Sequence, residues 1–101
     1  MVFGVYKLYG EYFGGVYDSF EDYYKETFSP DAEQVFLTDF RVHGKTYADK
    51  KAAARDIGVE ISNTFGLVSL FWSECMYIGD RLQGLAARYG LVKEFRENGL
   101  I

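Results

Sequence analysis

The sequence predicts an α+β domain, in which a small, mainly antiparallel sheet packs against two long C-terminal helices in the order β-β-α-β-α-α. Three observations support this prediction. The chain has 101 residues, which is the length of one domain. Residues 2–42 contain short runs rich in β-branched and aromatic side chains, separated by Gly and Pro. The remaining residues place apolar side chains at the three- and four-residue spacing of amphipathic helices.

The predicted strands all lie in the first part of the chain. Residues 2–9 form the first strand, and Gly10 with Glu11 makes a turn into a return strand at residues 12–17. Residues 34–42 alternate, with Phe36 and Thr38 on one side and Leu37 on the other, so we expect a half-buried third strand there. The chain therefore supplies three strands before its long helices begin.

The predicted helices begin at capping sequences. Residues 19–22 (Ser-Phe-Glu-Asp) open a short acidic helix over residues 20–27, and residues 46–49 (Thr-Tyr-Ala-Asp) open a long helix that ends before Gly66. A second long helix runs from Val68 to Tyr89 and stops at Gly90, and residues 91–97 form a last helical turn or two. The apolar stripe of the second long helix is dense: Val68, Phe71, Trp72, Cys75, Met76, Ile78, Leu82, Leu85, Ala86 and Tyr89.

Several classes of protein are excluded by composition. The chain begins without a basic segment followed by an apolar one, and its longest uncharged stretch is 13 residues, so we expect neither a signal peptide nor a membrane span. One Cys and one His rule out a disulfide framework and a Cys- or His-clustered metal site. We predict no cofactor, no metal and a cytoplasmic location, which for a phage-encoded protein is the host cytoplasm.

No catalytic set can be assembled from these residues. Cys75 lies on the apolar stripe without a group that would activate its thiol, which predicts a buried core residue. Gly44-Lys45-Thr46 ends like a phosphate-binding loop, but Asp39 stands where that loop needs a glycine. We therefore predict a protein that is not an enzyme.

Charge is divided unevenly along the chain, whose net charge is −4. Residues 1–40 carry eight acidic side chains against two basic ones, and residues 41–101 carry nine basic against seven acidic. Residues 1–40 also contain 12 of the 19 aromatic residues. The candidate partner-binding residues come from this acidic, aromatic region: Asp18, Glu21, Asp22, Tyr23, Tyr24, Glu26, Asp31 and Glu33.

Carboxylates held on a rigid scaffold imitate the spaced phosphates of a nucleic acid. Such a surface is attracted to the basic groove of a nucleic-acid-binding protein, where Tyr23 and Tyr24 would serve as anchors. We therefore expect a protein partner, a nucleic-acid-binding host enzyme, rather than DNA. The alternative is an ordinary solvated face that keeps the protein in solution.

A second interpretation rests on residues 54–64, which resemble the helix-turn-helix signature of phage repressors, with Gly58 in the turn. A small regulator of this kind would contact bases and phosphates through the residues Glu60, Ser62, Asn63, Lys50, Lys51 and Arg55. Residues 60–74 include no basic side chain, although phosphate contacts supply much of the affinity of DNA-binding proteins. The alternative is one continuous amphipathic helix through Gly58.

The opening residues 5–18 (VYKLYGEYFGGVYD), followed by an acidic helix, resemble the start of ArdA-type antirestriction proteins, which are acidic DNA mimics encoded by mobile elements. The length, the acidity and the abundance of Tyr and Phe are also similar to those of anti-CRISPR proteins. These resemblances imply an inhibitor of host defence encoded by a phage or mobile element.

A third possibility is a structural protein that forms a homodimer through the helix from Val68 to Tyr89, with Phe71 or Trp72 in the interface.

Overall fold

The computed structural model describes all residues of the chain and contains three strands and four helices. In chain order these elements are β1 (Val2–Leu8), β2 (Glu11–Tyr17), α1 (Phe20–Glu26), β3 (Glu33–Thr38), α2 (Tyr47–Thr64), α3 (Trp72–Tyr89) and α4 (Val92–Glu97). The predicted α+β class is confirmed, and α4 lies within residues 91–97, where a last helical turn or two was expected. None of the helices is long and apolar enough to span a bilayer.

The sheet is antiparallel throughout, and its strand order is β2-β1-β3. Because β1 is the central strand, Phe3 lies opposite Val16 in β2 and Thr38 in β3. The β1–β2 hairpin closes through Tyr9 and Gly10, which both adopt a positive φ, as tight hairpin turns require. The pairing of β1 with β3 is irregular between Val5 and Tyr6, where a bulge shifts the register.

Each face of the sheet is covered by helix. On one face Phe3 and Val5 join buried residues of α2, α3 and α4 in the main core. On the other face Val2 and Tyr6 pack with Tyr23 of α1 in a smaller cluster. The alternation of side chains along β1 therefore feeds two separate clusters from a single strand.

Helix α2 is continuous from Tyr47 to Thr64, so the helix-turn-helix interpretation is wrong at its central feature. The helix begins with a capping box, in which the Thr46 hydroxyl accepts from the Asp49 N–H at 3.1 Å and the Thr46 N–H donates to the Asp49 carboxylate at 3.4 Å. Gly58 is buried mid-helix because Phe95 of α4 packs against it, and a Cβ on Gly58 would lie 2.8 Å from the Phe95 ring. The glycine is thus a close-packing position and not a turn.

Two predicted boundaries are wrong by four residues. Strand β3 ends at Thr38 instead of residue 42, because Phe40 adopts a left-handed φ of 66° and the Thr38 and Asp39 side chains accept backbone N–H groups within this turn. Helix α3 begins at Trp72 instead of Val68, because the carboxylate of Glu74 accepts the Phe71 N–H at 2.9 Å.

The end of α3 matches its prediction. Gly90 adopts a φ of 67°, and its N–H donates to the Ala86 carbonyl, so the helix stops at the expected glycine. Leu91 and Phe95 then pack into the main core, which holds α4 against the two long helices.

Candidate functional site

The candidate site is the exposed side of α1, which a serine cap fixes at its start. The Ser19 hydroxyl accepts from the Asp22 N–H at 3.2 Å, and the Thr27 N–H closes the other end by donating to the Tyr23 carbonyl at 3.0 Å. Glu21 and Asp22 occupy the first turn, where the helix dipole stabilises negative charge. The sequence from Ser19 to Thr27 thus folds locally into a short helix with an acidic start.

Tyr23 attaches this helix to the sheet, so its predicted role as a partner anchor is wrong. The side chain is only 1% exposed, and its ring meets those of Tyr6 and Tyr17 edge to face at centroid distances of 6.3 and 5.4 Å. The Tyr23 hydroxyl donates to the Val5 carbonyl at 3.4 Å. The ring fits because Gly4 lies beneath it, where a Cβ would lie 2.5 Å from the ring.

Burial changes the acidity of these tyrosines. It raises the pKa of Tyr23 to about 12, with smaller contributions from Tyr24 and Tyr6. The pKa of Tyr17 is also raised, mainly by burial and further by the nearby charge of Glu26, and the pKa of Tyr6 is raised for the same two reasons. The three hydroxyls therefore keep their protons further into the alkaline range than an exposed tyrosine does.

Three other aromatic side chains of the α1 region are exposed. Tyr24 is 54% exposed and Phe28 is 93% exposed, and the Phe20 ring stacks on the Tyr24 ring at 6.5 Å. Together with Glu21 and Lys25 they line a shallow cleft of about 570 Å³. The structure shows that Tyr24 is accessible and adds Phe20 and Phe28, which are not among the predicted binding residues. Their four-residue spacing with Tyr24 was the available signal.

The two long sides of α1 differ in chemistry. At 3.6 residues per turn, Phe20 and Tyr24 project on one side of the inward-facing Tyr23, and Asp22 and Glu26 project on the other. Glu21 lies between these two sides, opposite Tyr23, and forms a salt bridge with Lys25 at 3.5 Å. The result is a ridge of aromatic rings beside a ridge of carboxylates.

All six predicted carboxylates are exposed, and none forms a salt bridge with a basic residue of the C-terminal part of the chain. The Glu21–Lys25 pair is exposed at both ends and contributes little to stability. Asp31 accepts a hydrogen bond from the Tyr9 hydroxyl at 3.0 Å. The carboxylates are therefore available to a partner.

The structure gathers only some of these carboxylates. Glu21, Asp22 and Glu26 share α1, and Asp31 lies on the loop that follows it. Glu33 in β3 stands opposite Lys7 in β1. The alternation of side chains along β1 puts this pair on the sheet face away from α1. Asp18 shares a cleft with Arg41 and Arg81, at the border of a basic region. The compact group is thus smaller than the predicted set.

The residues of the helix-turn-helix hypothesis do not lie on a separate recognition helix, because α2 is continuous. Arg55 is in a salt bridge with Glu94 of α4 at 3.0 Å, so its guanidinium is engaged. Ser62 and Asn63 line a small cleft against α4 instead of projecting from a separate recognition helix.

No three acidic, His or Cys side chains converge as a metal site, and Cys75 is half-buried instead of fully buried as predicted. In comparisons with protein-family models, curated proteins and solved structures, nothing matches this chain.

Proposed function

We propose that this protein is a non-enzymatic inhibitor that binds another protein through the exposed side of α1. The observation that carries the proposal is the pairing on one short helix of exposed rings (Phe20, Tyr24) with carboxylates (Asp22, Glu26) that no basic side chain neutralises. Rings that lose their water on binding provide affinity, and the charges provide orientation and a fast encounter.

The partner that fits this surface has a basic groove built for nucleic acid. Carboxylates on neighbouring turns of α1 would meet the lysines and arginines that hold phosphates, and Tyr24 and Phe28 would occupy space that bases fill. The resemblance to ArdA-type antirestriction and anti-CRISPR proteins supports a host defence enzyme as this partner, and a phage or mobile element as the source of the chain.

The proposal is tested by competition against nucleic acid. A restriction endonuclease and an RNA-guided nuclease are titrated with the protein, and their DNA binding and cleavage are measured. The double variant Glu21→Lys/Asp22→Lys should weaken inhibition by more than about tenfold, because each reversal places a like charge against the groove. The control Glu60→Lys/Glu97→Lys changes the same amount of charge at exposed positions on α2 and α4 and should inhibit like the native protein.

Salt provides an independent measurement. Affinity should fall steeply between about 50 and 500 mM NaCl, over which the Debye length shortens from roughly 14 to 4 Å. The charge-reversed variant should show a flatter dependence. Equal inhibition by the two double variants, or an affinity that is constant across this range, would rule out a phosphate-like role for α1.

A second candidate function, self-association, is favoured by the start of α3. Phe71 is 79% exposed and Trp72 is 77% exposed, and Met76 on the next turn is also exposed. Light scattering on the native protein and on Trp72→Glu tests this candidate. A dimer that dissociates in the variant would support it, and a native monomer at all concentrations would reject it.

A further inference from the structure

A cleft of about 470 Å³ lies between residues 40–43, which follow β3, and the facing sides of α2 and α3. Four cationic side chains line it from three separate parts of the chain: Arg41, Lys50, Arg81 and Arg88. His43 also lines the cleft, and Asp80 is its one carboxylate. The cleft thus carries an excess of three positive charges on a chain whose net charge is −4.

Most of these cations have no carboxylate partner. Arg41 forms a long salt bridge with Asp39 at 3.8 Å, whereas Lys50, Arg81 and Arg88 take part in no salt bridge. Like charges that line one cleft repel one another, and an anion that binds among them relieves this repulsion. The cleft is therefore electrostatically suited to an anionic ligand.

Aromatic rings hold two of the guanidinium groups in place. The Arg81 guanidinium lies over the Phe40 ring at 5.9 Å, and that of Arg88 lies over the Tyr89 ring at 5.7 Å. Both rings are buried, so they form a fixed floor. Guanidinium groups that are already oriented lose less entropy when they bind a phosphate through paired hydrogen bonds.

Helix α3 places a glycine between two of the cleft's arginines. Arg81, Gly84 and Arg88 are three and four residues apart, so they share one face of α3. Gly84 has no side chain, and a Cβ built there would have no atom within 4 Å. A glycine at this point leaves an opening between the two arginines.

We propose that this cleft binds a small molecule that carries two or more phosphate groups. Four cations exceed what one phosphate needs, and the volume falls within the usual range of small-molecule sites, about 300–1,000 Å³. Single-stranded nucleic acid is disfavoured because it binds by stacking bases on exposed rings, and the rings here are buried. The Gly44-Lys45-Thr46 segment takes no part, since the Thr46 hydroxyl caps α2.

Isothermal titration calorimetry with pyrophosphate and with ADP tests the proposal, with sulfate as the reference anion. The double variant Arg81→Gln/Arg88→Gln should weaken pyrophosphate binding by more than about tenfold, because each loses a charge-assisted contact. The control Lys93→Gln/Arg96→Gln removes the same charge from α4 and should bind like the native protein. Asp80→Asn should bind several-fold more tightly, because it removes the only carboxylate of the cleft.

A steric variant separates binding from folding. Gly84→Leu fills the opening and also improves helix propensity, so it should abolish binding while thermal stability is retained or increased. Gln83→Leu places the same side chain at the preceding position of α3, which is exposed and lies outside the cleft. This variant should bind pyrophosphate like the native protein.

Any of the following results would overturn the proposal: no heat with pyrophosphate or ADP, native-like binding by Gly84→Leu, or equal affinity for sulfate. Tighter binding of an oligonucleotide than of ADP would also overturn it, in favour of a nucleic-acid surface. Glu21→Lys/Asp22→Lys should bind pyrophosphate like the native protein, so failure at this cleft and failure at α1 are distinguishable.

Discussion

Tyr23 and Tyr24 are neighbours with the same side chain and opposite environments. Tyr23 fills the space above Gly4, and Tyr24 stands in solvent beside Phe20. The sequence marks both as members of an acidic, aromatic helix, but a seven-residue helix has too few positions for its apolar pattern to identify the inward side. Only the contact with β1 decides which ring is buried. Tyr23, one of the two predicted anchors, is therefore inaccessible to a partner.

The buried tyrosines predict a loss of stability at alkaline pH. Since burial raises the pKa of Tyr23 to about 12, its hydroxyl holds a proton in the folded chain that the unfolded chain releases near pH 10. Its contribution is complete below pH 10 and declines as the pH rises toward about 12. The urea midpoint should therefore fall between about pH 9.5 and pH 11.5, and Tyr23→Phe should reduce the slope. Tyr24→Phe is the exposed control, and an equal slope in all three proteins would contradict this origin.

Gly14 predicts a second effect of a single atom. A Cβ on this residue of β2 would overlap the Gly4 carbonyl oxygen of β1, and backbone cannot move aside as a side chain does. Gly14→Ala should lower the free energy of unfolding by about 1–3 kcal/mol. Gly66→Ala has open space around its Cβ and should change it by less than about 0.5 kcal/mol. Urea denaturation measures both, and similar values would show that the hairpin relaxes freely.

At the scale of elements, two glycines inside helices have different structural roles that the sequence does not distinguish. Gly58 looks like the turn of a helix-turn-helix, and it is instead the point where Phe95 of α4 packs against α2. Gly84 lies inside the predicted second long helix with no sign of a special role, and in the structure it lines the basic cleft. Both functions depend on residues distant in sequence, so no local pattern reveals them.

The two helical glycines should therefore respond oppositely to substitution. Gly58→Leu adds a side chain against Phe95 and Leu100, which should destabilise the fold by about 1–3 kcal/mol despite the better helix propensity. Gly84→Ala meets no atoms and should stabilise it by up to about 1 kcal/mol. Thermal unfolding of both variants tests this, and a stabilised Gly58→Leu would mean that α4 is displaced easily.

The start of α3 shows a similar dependence on distant contacts. The Glu74 carboxylate accepts the Phe71 N–H and also the Val16 N–H of β2, at 2.9 and 2.6 Å. The apolar stripe continues back to Val68, so sequence periodicity extended the helix too far. Glu74, whose carboxylate fixes the start of the helix, can be seen in the sequence. Its second hydrogen-bond partner, the Val16 N–H on the edge strand β2, cannot be inferred from the sequence.

At the scale of the whole molecule, the element order and the uneven charge were accessible from sequence because both are properties of contiguous segments. The acidic group on α1 is local, and the structure keeps Glu21, Asp22 and Glu26 together. The basic cleft combines residues 41, 50, 81 and 88, which only the packing of α2 on α3 brings together. Sites of this second kind are hidden from periodicity and composition.

Because β1 contributes to both clusters, the molecule should unfold in one step. Amide exchange should be slowest in β1, and Val5→Ala should lower the free energy of unfolding by about 2 kcal/mol. Far-ultraviolet and tyrosine circular dichroism should report the same midpoint in both proteins. Val35→Ala, at a position of β3 that is 38% exposed, should have a smaller effect. Separate midpoints for the two signals would show that α1 detaches first.

The exposed indole at the start of α3 limits how this protein is studied with light. Trp72 is the chain's single tryptophan and is surrounded by water while the chain is folded. Its emission colour should change little on denaturation, and small quenchers such as acrylamide should reach it freely in the native protein. A shift toward the blue would report that another molecule has covered this corner, so the fluorophore is a detector of docking and not of folding.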